Sequence, residues 1–243
     1  MPETWPPAEI KAPSLRLLLG EARVALAWPA FQRATRLLDG LPRGDGHAVL
    51  MVPGFGTTNR MTRPLRSALQ RLGYAVEGWE CGRNLGMRPT VRASLNNQIE
   101  RLYRQHGPVS LVGWSLGGIF VREAARHHPL WVREVITLGS PFSGYPTANN
   151  LHTLLRIANG GRRPEIDWAR FHRHQQPPAV PCHALHTRAD GIVNWRCCLE
   201  PETPRTCNIE VGGSHLTLVL SLEVLRTVAD ILATPSAPPG PAH

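Results

Sequence analysis

Short apolar runs alternate with longer amphipathic stretches along most of the chain. Residues 48–52, 74–79, 109–114 and 132–138 are rich in Val, Leu and Ile or in aromatic residues, as strands buried on both faces are. Between the first two, Leu65, Leu69 and Leu72 recur on one helical face, and Gly73 closes that helix at the position where glycine usually stands. A second helix is predicted around 91–105. A third, over 116–128, sets Ile119, Phe120, Val121, Ala124 and Ala125 against polar Arg122, Glu123 and Arg126. The alternation resumes with strands over 182–187 and 208–211 and a closing helix over 216–232. Strands alternating with helices are the signature of βαβ units. The expected class is therefore α/β: a doubly wound, mostly parallel sheet of about six strands. Ligands of such sheets collect at the carboxyl ends of the strands.

Four stretches fall outside this pattern. Residues 14–38 read as one helix or two, capped by Ser14, with Leu15, Leu18, Leu19, Ala22 and Leu26 at helical spacing. Pro29 is expected to kink or break it, and Phe31, Ala34, Leu37 and Leu38 continue the stripe. The stripe predicts packing against the sheet; a membrane-surface helix or dimer arm is the other reading. Residues 143–180 hold two short helical patterns punctuated by Gly160-Gly161 and Pro177-Pro178, read as a small helical lid rather than an ordinary connector. Residues 1–13 are Pro-rich and expected to be irregular, and the Pro/Ala-rich tail, 234–243, is expected to be disordered. The expectation is a single domain over 14–233, with 14–45 as its N-terminal helical segment.

The net charge of +9 raises nucleic acid as a partner. The arginines are scattered, however, and Lys11 is the only lysine, so no long basic run with interleaved aromatics exists to track a phosphate backbone. The five cysteines, Cys81, Cys182, Cys197, Cys198 and Cys207, are odd in number and form no paired C-x-x-C, which argues against a zinc site or a disulfide framework. In an oxidising compartment Cys197 or Cys198 could reach Cys207. No basic n-region followed by an apolar core opens the chain, and no apolar run is long enough for stable membrane insertion. A cytoplasmic protein is the expectation; the oligomeric state is open.

Chemistry concentrates at the end of the third strand. There Gly113-Trp114-Ser115-Leu116-Gly117 spells G-x-S-x-G, with the strand before it and the helix after it. In that context the motif reads as a nucleophile elbow with Ser115 at the strand's carboxyl end. A serine hydroxyl needs a base within hydrogen-bond reach, and the base needs an acid. Downstream, Asp190 follows the strand 182–187 in a turn, and His215 follows the strand 208–211. Both stand at the same sheet edge as Ser115 and in the chain order Ser, Asp, His. Asp39, Asp45 and Asp167 fall outside the required position. His127 and His128 sit at the far end of the elbow helix, His183 and His186 within a strand, and His47 and His106 in turns. For the oxyanion, the backbone N–H of Leu116 is one donor. Phe55, flanked by Gly54 and Gly56 after the first strand, is the other, with Thr57 as the alternative. Trp114, Phe142, Leu151, Leu155 and Trp168 are candidate substrate contacts.

The runs Val52-Pro53-Gly54-Phe55-Gly56, Gly113-Trp114-Ser115-Leu116-Gly117-Gly118, Thr137-Leu138-Gly139-Ser140-Pro141-Phe142, Asp190-Gly191-Ile192-Val193 and Gly213-Ser214-His215 resemble those of the α/β-hydrolase superfamily, bacterial lipase/esterase-like branch. The resemblance covers roughly residues 46–232. It implies ester cleavage through an acyl-enzyme with no cofactor and no metal, on a small-molecule ester. The lid's leucines, Trp168 and Phe171 suggest an apolar acyl group. In one departure, Pro53 stands where such lipases usually carry a His before the oxyanion donor. Acyl transfer by the same three residues, or a non-catalytic hydrolase-like binding protein, are the competing readings.

Overall fold

The structure, a computed structural model, describes residues 10–35, 38–143 and 173–234. Six strands form one sheet: β1 Ala48–Val52, β2 Ala75–Gly78, β3 Val109–Trp114, β4 Val132–Leu138, β5 Cys182–His186 and β6 Thr206–Glu210. Their order is β2-β1-β3-β4-β5-β6, and every neighbouring pair is parallel. The chain steps outward from β1 to β2, then returns to lay β3 on the other side of β1. β1 and β3 thus flank the point where the winding reverses, and their carboxyl-end loops open the crevice that binds ligands in such sheets.

Burial explains the continuous apolar runs. All five residues of β1 and all six of β3 are buried. Val49 and Met51 face one core, with Leu65, Leu69 and Leu72 of α3 (Asn59–Leu72) and with Val224, Leu225 and Val228 of the last helix, α6 (Leu222–Ala233). Ala48, Leu50 and Val52 face the other, with Leu95, Ile99 and Leu102 of α4 (Pro89–His106) and Phe120 and Val121 of α5 (Leu116–His127). Successive strand residues thus alternate between two helical layers, as a doubly wound sheet requires. Gly73 ends α3 at φ 108°, in the left-handed region that only glycine enters freely.

Two expectations need correction. The closing helix does not run unbroken from residue 216. A 3₁₀ turn at Leu218–Leu220 precedes α6, whose N-cap is Ser221, its hydroxyl accepting from Val224 N. The N-terminal segment divides elsewhere than at Pro29. α1 (Leu15–Gly20) and α2 (Val24–Ala34) are separated by a 3₁₀ turn at Glu21–Arg23, while Pro29 lies within α2. Nor does the leucine stripe face the sheet: Leu15, Leu19 and Leu26 are 70%, 70% and 76% exposed. The buried residues described over 14–38 are Glu21, Phe31, Thr35 and Leu38, and of these Phe31 and Leu38 join the core. Of the expected lid, residues 144–172 lie outside the described residues, as do 1–9 and the tail from 235.

Candidate functional site

β3 ends at Trp114, and the chain turns into α5 at Ser115, whose φ is 54° and ψ −123°. It is the one non-glycine with positive φ among the described residues. Such a conformation costs on the order of 1–3 kcal/mol and persists only where its surroundings enforce it. They do so here. Ser115 N–H donates to Leu138 O of β4 at 2.8 Å, and Gly118 N–H donates to Ser115 O at 3.0 Å. A Cβ on Gly113 would strike the backbone of Gly118, and one on Gly117 would strike Val52 O. The two glycines therefore let strand and helix meet closely enough to bend the chain at Ser115.

Across from the elbow stands the loop after β1. Gly54 packs against it: a Cβ there would lie 3.2 Å from Ser115 Cβ. Gly56 N–H donates to Asn84 O (2.7 Å) and Thr57 N–H to Gly54 O (3.2 Å), so Thr57 is committed within the loop. The N–H groups of Phe55 and Leu116 donate to no other described residue. Asn84, fully buried, holds this loop from behind. Its Nδ2 donates to Pro53 O at 2.7 Å and its N–H to Thr57 O at 2.9 Å. No sequence signal singles it out, because an Asn between Gly82 and Gly86 reads as an ordinary turn former.

The acid and the base come from the loops after β5 and β6, the last two strands of the sheet. Asp190 is 3% exposed. Its Oδ1 accepts from Ile192 N (2.8 Å) and Val193 N (2.7 Å), and its Oδ2 lies 2.6 Å from His215 Nδ1. The turn thus uses one carboxylate oxygen and presents the other to the imidazole. Gly139, at φ 58°, passes directly under this pair; a Cβ there would come 3.1 Å from His215 Nδ1 and 3.3 Å from Asp190 Oδ2. Trp114 donates its indole N–H to His215 O (3.1 Å), which ties the base to the residue beside Ser115. Burial pulls the His215 pKa down, but the Asp190 charge, its hydrogen bond and the Glu21 charge outweigh that and leave it raised above 6.5. No hydrogen bond joins Ser115 to His215 among the described residues; both stand at the same sheet edge. Catalytic hydrogen bonds are often open without substrate and tighten when it binds.

Many solved structures match this chain in fold. A metagenome-derived lipolytic enzyme matches with a TM-score of 0.59 at 14% identity, over 79% of this chain and 95% of its own. The monoacylglycerol lipase of Paleococcus ferrophilus matches at 0.57 and 17%, over 79% and 96%. The thioesterase domain from the curacin biosynthetic pathway matches at 0.51 and 14%, over 80% and 93%. The chain has the α/β-hydrolase fold. No protein-family model matches it, and no curated protein matches it by sequence.

Within this α/β-hydrolase fold the remaining candidates are placed as follows. Trp114 and Phe142 are 2% and 1% exposed; the Phe142 ring lies under the Arg122 guanidinium, 3.8 Å from its carbon. Arg122 is itself buried and paired with Glu200. Both aromatic rings therefore support neighbouring groups and present almost no surface. Leu151, Leu155, Trp168 and Phe171 lie outside the described residues. A cleft of about 380 Å³ borders the loop after β1, walled by Trp28, Met61, Thr58, Arg60 and Arg83. None of the five cysteines is in a disulfide. Among the described residues, no cluster of three His, Cys, Asp or Glu side chains could hold a metal, and no helix is long and apolar enough to cross a membrane. Sequence reasoning missed Glu21 as well as Asn84. Glu21 sits in a helical pattern where a charged residue reads as solvent-facing, yet its carboxylate accepts from the His215 N–H at 3.0 Å.

Proposed function

We propose that the chain is a serine hydrolase of carboxylic esters, of the bacterial lipase/esterase-like kind. Ser115 attacks the acyl carbon while His215 Nε2 takes its proton. Asp190 fixes the tautomer through Nδ1 and stabilises the imidazolium. The N–H groups of Phe55 and Leu116 hold the oxyanion of the tetrahedral intermediate. His215 then returns the proton to the departing alcohol. Water, deprotonated by the same histidine, releases the acid from Ser115 and restores the enzyme.

One observation carries this reading. The only strained non-glycine among the described residues is the serine of the motif, and it shares a sheet edge with a buried Asp–His pair hydrogen-bonded at 2.6 Å. Strain of this kind is retained where function requires it. The uncommitted N–H groups of Phe55 and Leu116 support the oxyanion assignment, and Asn84 supplies through its bonds to Pro53 and Thr57 the loop support that the Pro53 side chain cannot. The cleft beside that loop, with Trp28 and Met61 on its wall, suits an ester with an apolar part. Lipolytic enzymes and a thioesterase among the structural neighbours fit acyl chemistry of this class.

The test is covalent labelling with a fluorophosphonate, together with turnover of p-nitrophenyl esters of graded chain length. The wild type should gain one phosphonyl adduct and hydrolyse the esters, and a Ser115→Ala variant should do neither. A wild type that neither labels nor turns over would overturn the reading. Labelling without turnover of any simple ester would point to an acyl acceptor other than water.

A further inference from the structure

One carboxylate at the site has no part in the steps above. Glu21, in the 3₁₀ turn between α1 and α2, is 5% exposed. Its Oε1 accepts from Gly191 N (2.8 Å) and from His215 N (3.0 Å), and its Oε2 accepts from Leu216 N (2.9 Å). These donors are 170, 194 and 195 residues away in sequence. They belong to the two loops that carry the acid and the base. The segment around Glu21 is fastened to the acid loop as well. Asn194 Nδ2 donates to Lys11 O at 2.8 Å. A Cβ on Gly191 would run into Leu17 O and come 2.7 Å from Leu18 Cα, so the backbone of α1 rests directly on the residue after Asp190.

Core packing does not account for the attachment of α1, which buries none of its residues; α2 is held separately, by Phe31 in the core with Val24, Ala27 and Trp28 packed against it. A buried carboxylate is costly unless its oxygens are hydrogen-bonded, and three backbone N–H groups satisfy this one. The Asp190–His215 bond joins the two loops through side chains alone; Glu21 joins them through their main chains, which sets how far apart those side chains begin. We propose that Glu21 is a positioning residue for the acid–base pair, clamping the Asp190 turn and the His215 loop together, and that the N-terminal helical segment is thereby part of the active site. This rests on the serine-hydrolase reading.

Glu21 also brings a second negative charge to His215. The charged groups facing the imidazole are Asp190 from the loop after β5 and Glu21 from the N-terminal segment; Trp114, from the end of β3, is neutral. Cys198 faces Asp190, and burial holds its thiol protonated. Removing the Glu21 charge should therefore make His215 easier to deprotonate, which an effect on folding alone would not do.

The experiment compares wild type, Glu21→Gln and Glu21→Asp by circular dichroism, ester kinetics against pH and fluorophosphonate titration of active sites. Glu21→Gln turns one acceptor into a donor facing an N–H and removes the charge. Its kcat per labelled site should fall about 10- to 100-fold, the scale of a misplacement of about 1 Å, and the acid limb of kcat/KM should move to lower pH. Glu21→Asp keeps the charge but loses reach, so its kcat should fall while the limb stays at the wild-type position. If Glu21→Gln does not fold, Glu21→Asp carries the test. A folded variant with wild-type kcat and an unmoved limb overturns the proposal and leaves the hydrolase reading intact. An unlabelled, inactive wild type overturns both.

Discussion

Each edge of the sheet carries a serine, a histidine and a carboxylate, and the two sets differ in everything around them. At the amino edge, His47 Nε2 lies 3.0 Å from Ser110 Oγ and His47 Nδ1 lies 2.5 Å from Asp45 Oδ1. At the carboxyl edge, His215 Nδ1 lies 2.6 Å from Asp190 Oδ2, and Ser115 stands five residues further along the chain than Ser110. Judged by hydrogen bonds alone, the amino-edge set is the more complete. Yet Ser110 is fully buried inside β3, its backbone is engaged between β1 and β4, and its hydroxyl donates to Glu134 Oε1 at 2.9 Å. No substrate could reach it, and its hydroxyl hydrogen is already engaged by a carboxylate. Ser115 lies beyond the ladder, bent by glycines, with the N–H groups of Phe55 and Leu116 uncommitted nearby. A Ser–His–carboxylate relay is thus a sound structural joint in its own right. What singles out the carboxyl-edge set for the proposed catalysis is the strained serine beyond the ladder, with the proposed oxyanion donors beside it.

The contrast is best broken at the serines. Ser115→Ala should lower ester turnover by about 10⁴-fold or more. Ser110→Ala should keep turnover within about twofold and lower the unfolding free energy by about 1–3 kcal/mol, because it leaves buried Glu134 and His47 short of a partner. Parallel kinetics and urea denaturation check both, and loss of activity in a folded Ser110→Ala would sink the comparison. The acids follow. Asp190→Asn should cost about 10⁴-fold in kcat by presenting the wrong tautomer, while Asp45→Asn should leave kcat unchanged.

Two glycines sharpen the comparison at smaller amplitude. A Cβ at Gly139 would come 2.9 Å from Leu218 Cδ1 and press on the Asp190–His215 pair, so Gly139→Ala should reduce kcat/KM about 10- to 100-fold. Gly46, at φ 85° beside the amino-edge set, has open space where a Cβ would stand, with nothing within 4 Å. Gly46→Ala should therefore cost about 1–2 kcal/mol of backbone strain, read as a lower Tm, with unchanged activity.

The smallest effect separates the two histidines by sign. Burial lowers the His47 pKa despite Asp45, so the unfolded chain binds its proton first as pH falls. The stability linked to His47 is present above about 6.5 and is lost at lower pH. His215 is raised, so its contribution is present below about 6.5 and is lost as pH rises through the raised value. Tm measured from pH 5 to 9 on His47→Gln and His215→Gln should show opposite pH trends relative to wild type. Ester turnover, which needs neutral His215, should rise with pH through an apparent pKa above 6.5.

Much of this was legible in the chain because it is local. β1, β3 and β4 fall on the residues that their apolar runs mark, and Gly73 stops α3 where it was expected to. The first and last helical segments were misread for one reason. Leucines at helical spacing are evidence of a helix but not of which side faces the core, and Leu15, Leu19 and Leu26 face solvent. Likewise, an apolar run over 216–232 does not reveal that the chain pauses at Ser221 to cap a new helix.

The sequence by itself determined the alternation of strand and helix, the elbow at Ser115 and the order in which Asp190 and His215 follow strand ends. Each of these is set by neighbours within a few residues, through side-chain periodicity and the missing Cβ of glycine. Only the tertiary structure decided that Glu21 reaches the His215 backbone, that Asn84 holds Pro53, and that His47, Ser110 and Glu134 close into a buried network. Those bonds join residues 24 to 194 positions apart. A polar side chain destined for such a partner has the same local pattern as one destined for water, and only the folded chain tells them apart.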